Sequence, residues 1–217
     1  MNKFSLKKII VISFILSISL IIEIILTKTV LHEHNCESSI IKLELLPLFL
    51  IGFLFGFKYS FFSNLLYNFI HITLESTLSF GQNSLLQKYD NKNSSLYIGI
   101  LLFLFIIPYL SCSLTGLFYS KDSNKLSQKK NIFNSLLLIT IIQIISYILF
   151  ICIFFETNAK EISHHIYHNH NNWTNKIQPN IFLILYFCFT SIITNIISGF
   201  CLFFIKNIIQ KNIQFIS

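Results

Sequence analysis

Apolar residues occur along this chain in long blocks rather than at the three- and four-residue spacing of a half-buried helix. The blocks cover 9–27, 44–75, 96–119, 132–155 and 180–205, with polar segments between them. A helix needs about 20 apolar residues to cross the hydrocarbon core, so most blocks predict one span each. The block 44–75 does not fit: thirty residues lie between Glu44 and Glu75, broken by one charge at Lys58. That length is too great for one span and small for two.

Lysine placement divides the block, because cytoplasmic loops carry the excess of Lys. With a turn at Gly56-Phe57-Lys58, six helices leave both termini cytoplasmic, with ten Lys inside and six outside, the latter beside seven of the nine acids. With one tilted helix instead, the count becomes seven inside against eight outside. Lys58 is then stranded in the membrane, which costs about 3 kcal/mol. The expectation is therefore an all-α integral membrane protein forming a single membrane domain, 1–217. Its six transmembrane helices are near 9–27, 44–57, 59–75, 96–119, 132–155 and 180–205, multi-pass in the cell membrane. Gly56 supplies the tight turn between the second and third. Pro108, lacking an N–H, predicts a bend in the fourth. The first apolar run follows Lys3, Lys7 and Lys8 and has no small-x-small cleavage site, so it reads as an uncleaved helix.

Composition strengthens the membrane assignment: 53% of residues are hydrophobic and 12% charged. The net charge of +7 comes from Lys in short loops, where orientation explains it, so no nucleic-acid partner is expected. All sixteen basic residues are Lys, and Ala159 is the one alanine. In so skewed a composition, Asn- and Lys-rich stretches carry little meaning. The cysteines include no C-x-x-C pair, and Cys112, Cys152, Cys188 and Cys201 read as apolar fillers.

Polar residues inside the spans carry the functional signal, because in lipid they face a cavity or another helix. Helix three presents Asn64, Tyr67, Asn68, His71 and Glu75 on one face. Helix five adds Gln143, Ser146 and Tyr147, and helix six adds Tyr186, Thr190, Ser191, Thr194, Asn195 and Ser198. The candidate substrate-binding residues are Asn68, His71, Glu75, Gln143, Tyr147, Tyr186, Thr190 and Asn195, lining a polar cavity that opens outward. Loops 32–37, 76–95 and 156–179 are expected to cover it. The plainer reading is interhelical hydrogen bonding, at about 0.6 kcal/mol per contact, with Glu23 snorkelling to the surface. The segment with His164, His165, His168 and His170, on the same side as His32 and His34, gives a second reading, transition-metal uptake. A structural membrane subunit or assembly factor is a third. No catalytic motif is present, so neither enzyme activity nor a cofactor is expected, and any ATP must be used by partner ATPase subunits.

The segment LELLPLFLIGFLFGFKYSFFSNLLYNFIH resembles the second and third helices of the substrate-binding S components of energy-coupling factor (ECF) transporters. A Pro-led short helix and a turn of the form small-x-x-x-G-x-K carry the likeness. IPYLSCSLTGLFYSK is similar to the end of their fourth helix, and Asn195-Ile196-Ile197-Ser198-Gly199 to the sixth helix of the thiamine-binding member. Helix number and loop placement extend the resemblance over most of the chain, toward the orphan type of small, AT-rich, wall-less bacteria. It implies a membrane subunit that captures a vitamin or related micronutrient and works with a transmembrane T component and two ATPase subunits. Ser13 and Ser17 would correspond to the small residues that contact the T component. Of the thiamine-binding residues only Asn195 has a counterpart; the fourth-helix acid is replaced by an apolar residue near Leu104. The resemblance therefore does not carry thiamine as the substrate.

Overall fold

The computed structural model describes residues 3–29, 42–77, 94–118, 129–166 and 179–213. They form an all-helical bundle, with no strand among the described residues. In chain order these are α1 (Lys3–Thr29), α2 (Leu45–Phe55), α3 (Phe57–Thr77), the composite α4 (94–118), α5 (Lys129–Ile166) and α6 (Pro179–Ile213). Four stretches are long and apolar enough to cross a membrane: Leu6–Ile25, Ser95–Phe118, Lys130–Phe154 and Leu183–Ile205.

Burial is inverted relative to a water-soluble bundle. Phe14, Phe62, Phe69, Phe133, Phe189 and Phe204 face outward, while Ser19, Asn64, Asn68, Gln143, Asn195 and Ser198 are buried. Such a distribution suits lipid as the surrounding solvent, where outward apolar groups cost nothing and polar groups must find partners inside. This is a membrane protein.

Side-chain contacts fix how the helices run. Lys8 of α1 lies over the Tyr59 ring, and Glu23 meets Tyr67, so α1 and α3 run in the same direction. Along α4 the order reverses: His71 meets Phe105, and Gly116 abuts Phe57. Gly99 against Phe154 and Gln143 against Pro108 make α5 antiparallel to α4. Gly199 against Leu136 and Asn195 against Thr140 make α6 antiparallel to α5.

The expected turn within 44–75 is present. Gly56 alone separates α2 from α3, at φ 85° and ψ 175°, a region essentially reserved for glycine. Its N–H bonds the Gly52 carbonyl at 3.0 Å, and its carbonyl accepts from Ser60 at 3.1 Å. Gly52 and Gly116 let α2 and α4 touch backbone to backbone; a Cβ on Gly52 would lie 2.8 Å from the Gly116 nitrogen.

The length of α2 differs from the expected 44–57. At 11 residues it rises about 16 Å, roughly half the hydrocarbon thickness. Its amino end meets interior positions of three neighbours: Ser19 of α1, Tyr109 of α4 and Thr194 of α6. Leu48, Phe49 and Ile51 are completely buried, while Leu46, Leu50 and Leu54 on one face are partly buried, so α2 is a half-length helix packed into the bundle. Two further expectations are corrected. The polar segment after Phe155 does not begin as a loop, because α5 continues to Ile166; Asn and the charged residues there lower helix propensity too little to end it. Likewise α6 runs on to Ile213, past 205.

Pro108 acts through hydrogen bonding. Upstream of it Ile100–Ile106 is π-helical, and the Ile107 N–H reaches back five residues to the Leu102 carbonyl. In that register Pro108 owes an N–H to the Phe103 carbonyl and has none. Ser146 of α5 donates to that carbonyl instead, at 2.7 Å. After Ser111 the rod tightens to a 3₁₀ helix, Cys112–Phe118.

Candidate functional site

Because α2 stops halfway, α1, α3 and α4 face one another beyond its amino end. The Glu23 carboxylate turns inward there. One oxygen accepts from the Tyr67 hydroxyl at 2.6 Å, and the other pairs with His71 Nδ1. Facing a carboxylate, Nδ1 carries the proton, which fixes the ring's orientation. This corrects the expectation that Glu23 snorkels: two partners on α3 outcompete a reach to the surface.

Aromatic rings enclose the pair. His71 stacks on Tyr67 at 6.0 Å and packs against Phe105 and Tyr109 at 5.4 and 5.2 Å. Glu44, the residue before α2, accepts from the Tyr109 hydroxyl at 3.1 Å, and its carbonyl accepts from Ser19 at 2.5 Å. The Lys42 ammonium lies 5.1 Å from the centre of the Tyr109 ring and 5.9 Å from that of Phe105. Its backbone N–H donates to Thr194 at 3.2 Å.

A second cluster joins α4, α5 and α6. Gln143 donates to the Pro108 carbonyl at 3.3 Å, while its amide oxygen accepts from Ser191 at 2.7 Å and from Asn195 at 2.8 Å. Asn195 also donates to Thr140 at 2.8 Å. The two clusters meet where Lys42 bonds Thr194.

No family model, curated protein or solved structure matches the chain. Geometry alone therefore sorts the residues.

Of those singled out from sequence, His71 lies in the first cluster, and Gln143 and Asn195 form the second. Asn68, one turn before His71, is buried with neither amide atom hydrogen-bonded among the described residues. Tyr147 of α5 stacks on Phe187 of α6 at 5.0 Å, an α5–α6 contact, and Tyr186 meets the edge of the same ring within α6. Thr190 bonds the Phe187 carbonyl of its own helix at 3.0 Å. Ser13 and Ser17 both sit on the outward face of α1, with Ser17 bonded to the Ser13 carbonyl at 2.9 Å. The side chains of Glu75, His164 and His165, and all of His168 and His170, lie outside the described residues. So do most of the three covering loops. Among the described residues, no group of three metal-ligating side chains comes together.

Sequence reading missed Lys42, Glu44 and Tyr109. Lys42 and Glu44 read as the polar edge of an apolar block, and Tyr109 as part of the Pro108 motif. A lone Glu in an apolar helix was the available signal: an intramembrane acid implies a partner on a neighbouring helix.

Proposed function

We propose that the chain is the substrate-capturing membrane subunit of an ECF-type importer, taking up a vitamin or related micronutrient. It spans the membrane six times, with both termini cytoplasmic and the half-length α2 counting as the second crossing. The observation that carries this reading is the polar cluster beyond the amino end of α2, where Glu23, Lys42, Glu44, Tyr67, His71 and Tyr109 converge. Ionisable groups inside a membrane bundle are expensive and mark substrate or ion pathways. The alternating helix directions fit an even number of crossings, and in the lysine-based orientation the polar cluster lies toward the outside. The helix-capping half of the bundle, tightly closed by Gly52, Gly56 and Gly116, then faces the cytoplasm.

The outward serines of α1 support a partner surface for a T component, since small residues permit close helix approach. Affinity isolation of the tagged chain from its native membranes tests the partnership. A second integral membrane protein and two ATPases should co-isolate, and Ser13→Phe with Ser17→Phe should reduce them. Isolation of the chain alone, or with partners lacking a nucleotide-binding site, would refute it.

A further inference from the structure

Lys42 occupies a place that helix stability does not favour. It precedes α2 at the positive end of that helix's dipole, where a cation is disfavoured. It also lies level with interior positions of α1, α4 and α6, where an ammonium loses hydration. Two ring faces, those of Tyr109 and Phe105, hold its ammonium, rather than a direct carboxylate contact among the described residues. Ring faces with no carboxylate in direct contact suit a weakly hydrated organic cation better than a compact primary ammonium.

We propose that Lys42 is a resident cation in a cage built for the organic ammonium group of the substrate, which binds by displacing the lysine head. The proposal rests on the capture reading above and names the substrate class. Tyr109 and Phe105 supply the cage walls, and Glu23 and Glu44 supply the field. The displaced side chain needs no helix movement, because the Lys42 backbone stays tied to Thr194 and only its flexible stem swings away. Asn68, 4% exposed and with both amide atoms unbonded among the described residues, offers an unused donor and acceptor on α3 for the remainder of the substrate.

The test uses the purified full-length chain in lipid nanodiscs, so it does not depend on any ATPase partner. Isothermal titration calorimetry would measure binding of methylammonium, tetramethylammonium and choline to the wild type, Lys42→Met and Lys42→Gln. The second variant keeps a polar head should the first fail to fold. Removing the internal competitor should tighten binding of at least one methylated cation about tenfold or more. Tyr109→Leu in the same background should abolish the gain, and 3,3-dimethyl-1-butanol, the neutral isostere of choline, should not bind. If neither Lys42 variant binds any of the three cations more tightly than the wild type, or if the neutral isostere binds as well as choline, the cage assignment is wrong. A neutral substrate captured at the same cluster would then leave the transport reading standing and sink this proposal alone.

Discussion

Glu23 shows how one carboxylate can fasten two helices from within a membrane bundle. Its oxygens take separate donors, the Tyr67 hydroxyl and His71 Nδ1, one turn apart on α3. Tyr67→Phe retains the stacked ring and removes one donor, and should cost about 1–2 kcal/mol. His71→Leu leaves a buried carboxylate short of its stronger partner and should cost more, about 3 kcal/mol or above. Thermal unfolding of the two variants in detergent checks the order. Adding Glu23→Gln should recover part of the His71→Leu loss, a coupling that appears only if the two side chains interact directly. His71 was legible from sequence because its stripe repeats at helical spacing. Its partner was not, since 48 residues separate His71 from Glu23 and no local pattern links them. Lys42 and Glu44 were less legible still: a charge beside an apolar block looks like a loop edge until the helix it begins is found to start in the bundle interior.

At the scale of elements, backbone geometry is set by a few small or constrained residues. Gly56 occupies a backbone region closed to other residues, and Gly116 abuts the Phe57 backbone. Gly56→Ala should lower stability by about 1–3 kcal/mol, and Gly116→Ala, which forces α4 off the turn, should lower it by a comparable amount. Equilibrium denaturation in mixed micelles would measure both. Ser146→Ala removes the hydroxyl that serves the Phe103 carbonyl and should cost about 1 kcal/mol or more. Pro108→Ala supplies a backbone donor and should make Ser146→Ala nearly neutral in the double variant. The turn could be read from sequence because a charge and a glycine interrupt an apolar run. Where α2 begins could not, because Leu45–Phe55 carries no polar residue to mark a face or an end. The extension of α5 to Ile166 escaped for the opposite reason, being a polar continuation that composition assigns to a loop.

Over the whole molecule, apolar residues face outward and polar ones inward, and successive helices alternate in direction. Four helices have the length and composition of membrane spans, while α2 is too short and α3 too polar to declare itself by those criteria alone. If all six elements belong to crossings, Lys58→Cys and Lys125→Cys in a cysteine-free background should label from the cytoplasmic side, and Asp90→Cys from outside. Labelling of Lys58→Cys and Lys125→Cys from opposite sides would exclude an even number of crossings between them. Lysine distribution is the sequence argument for this topology, whereas the polar cluster needed the fold, since it assembles from four places in the chain: α1, residues 42–44, α3 and α4. Capture of a small molecule at that cluster is tested most directly by native mass spectrometry of the chain purified gently from its own membranes. A bound organic molecule should be retained by the wild type and lost from the Glu23→Gln, His71→Leu variant, provided that variant remains folded. A wild type that carries no ligand and shifts in mass with none of a panel of vitamins and related micronutrients, or a ligand retained equally by both forms, would contradict capture at this cluster.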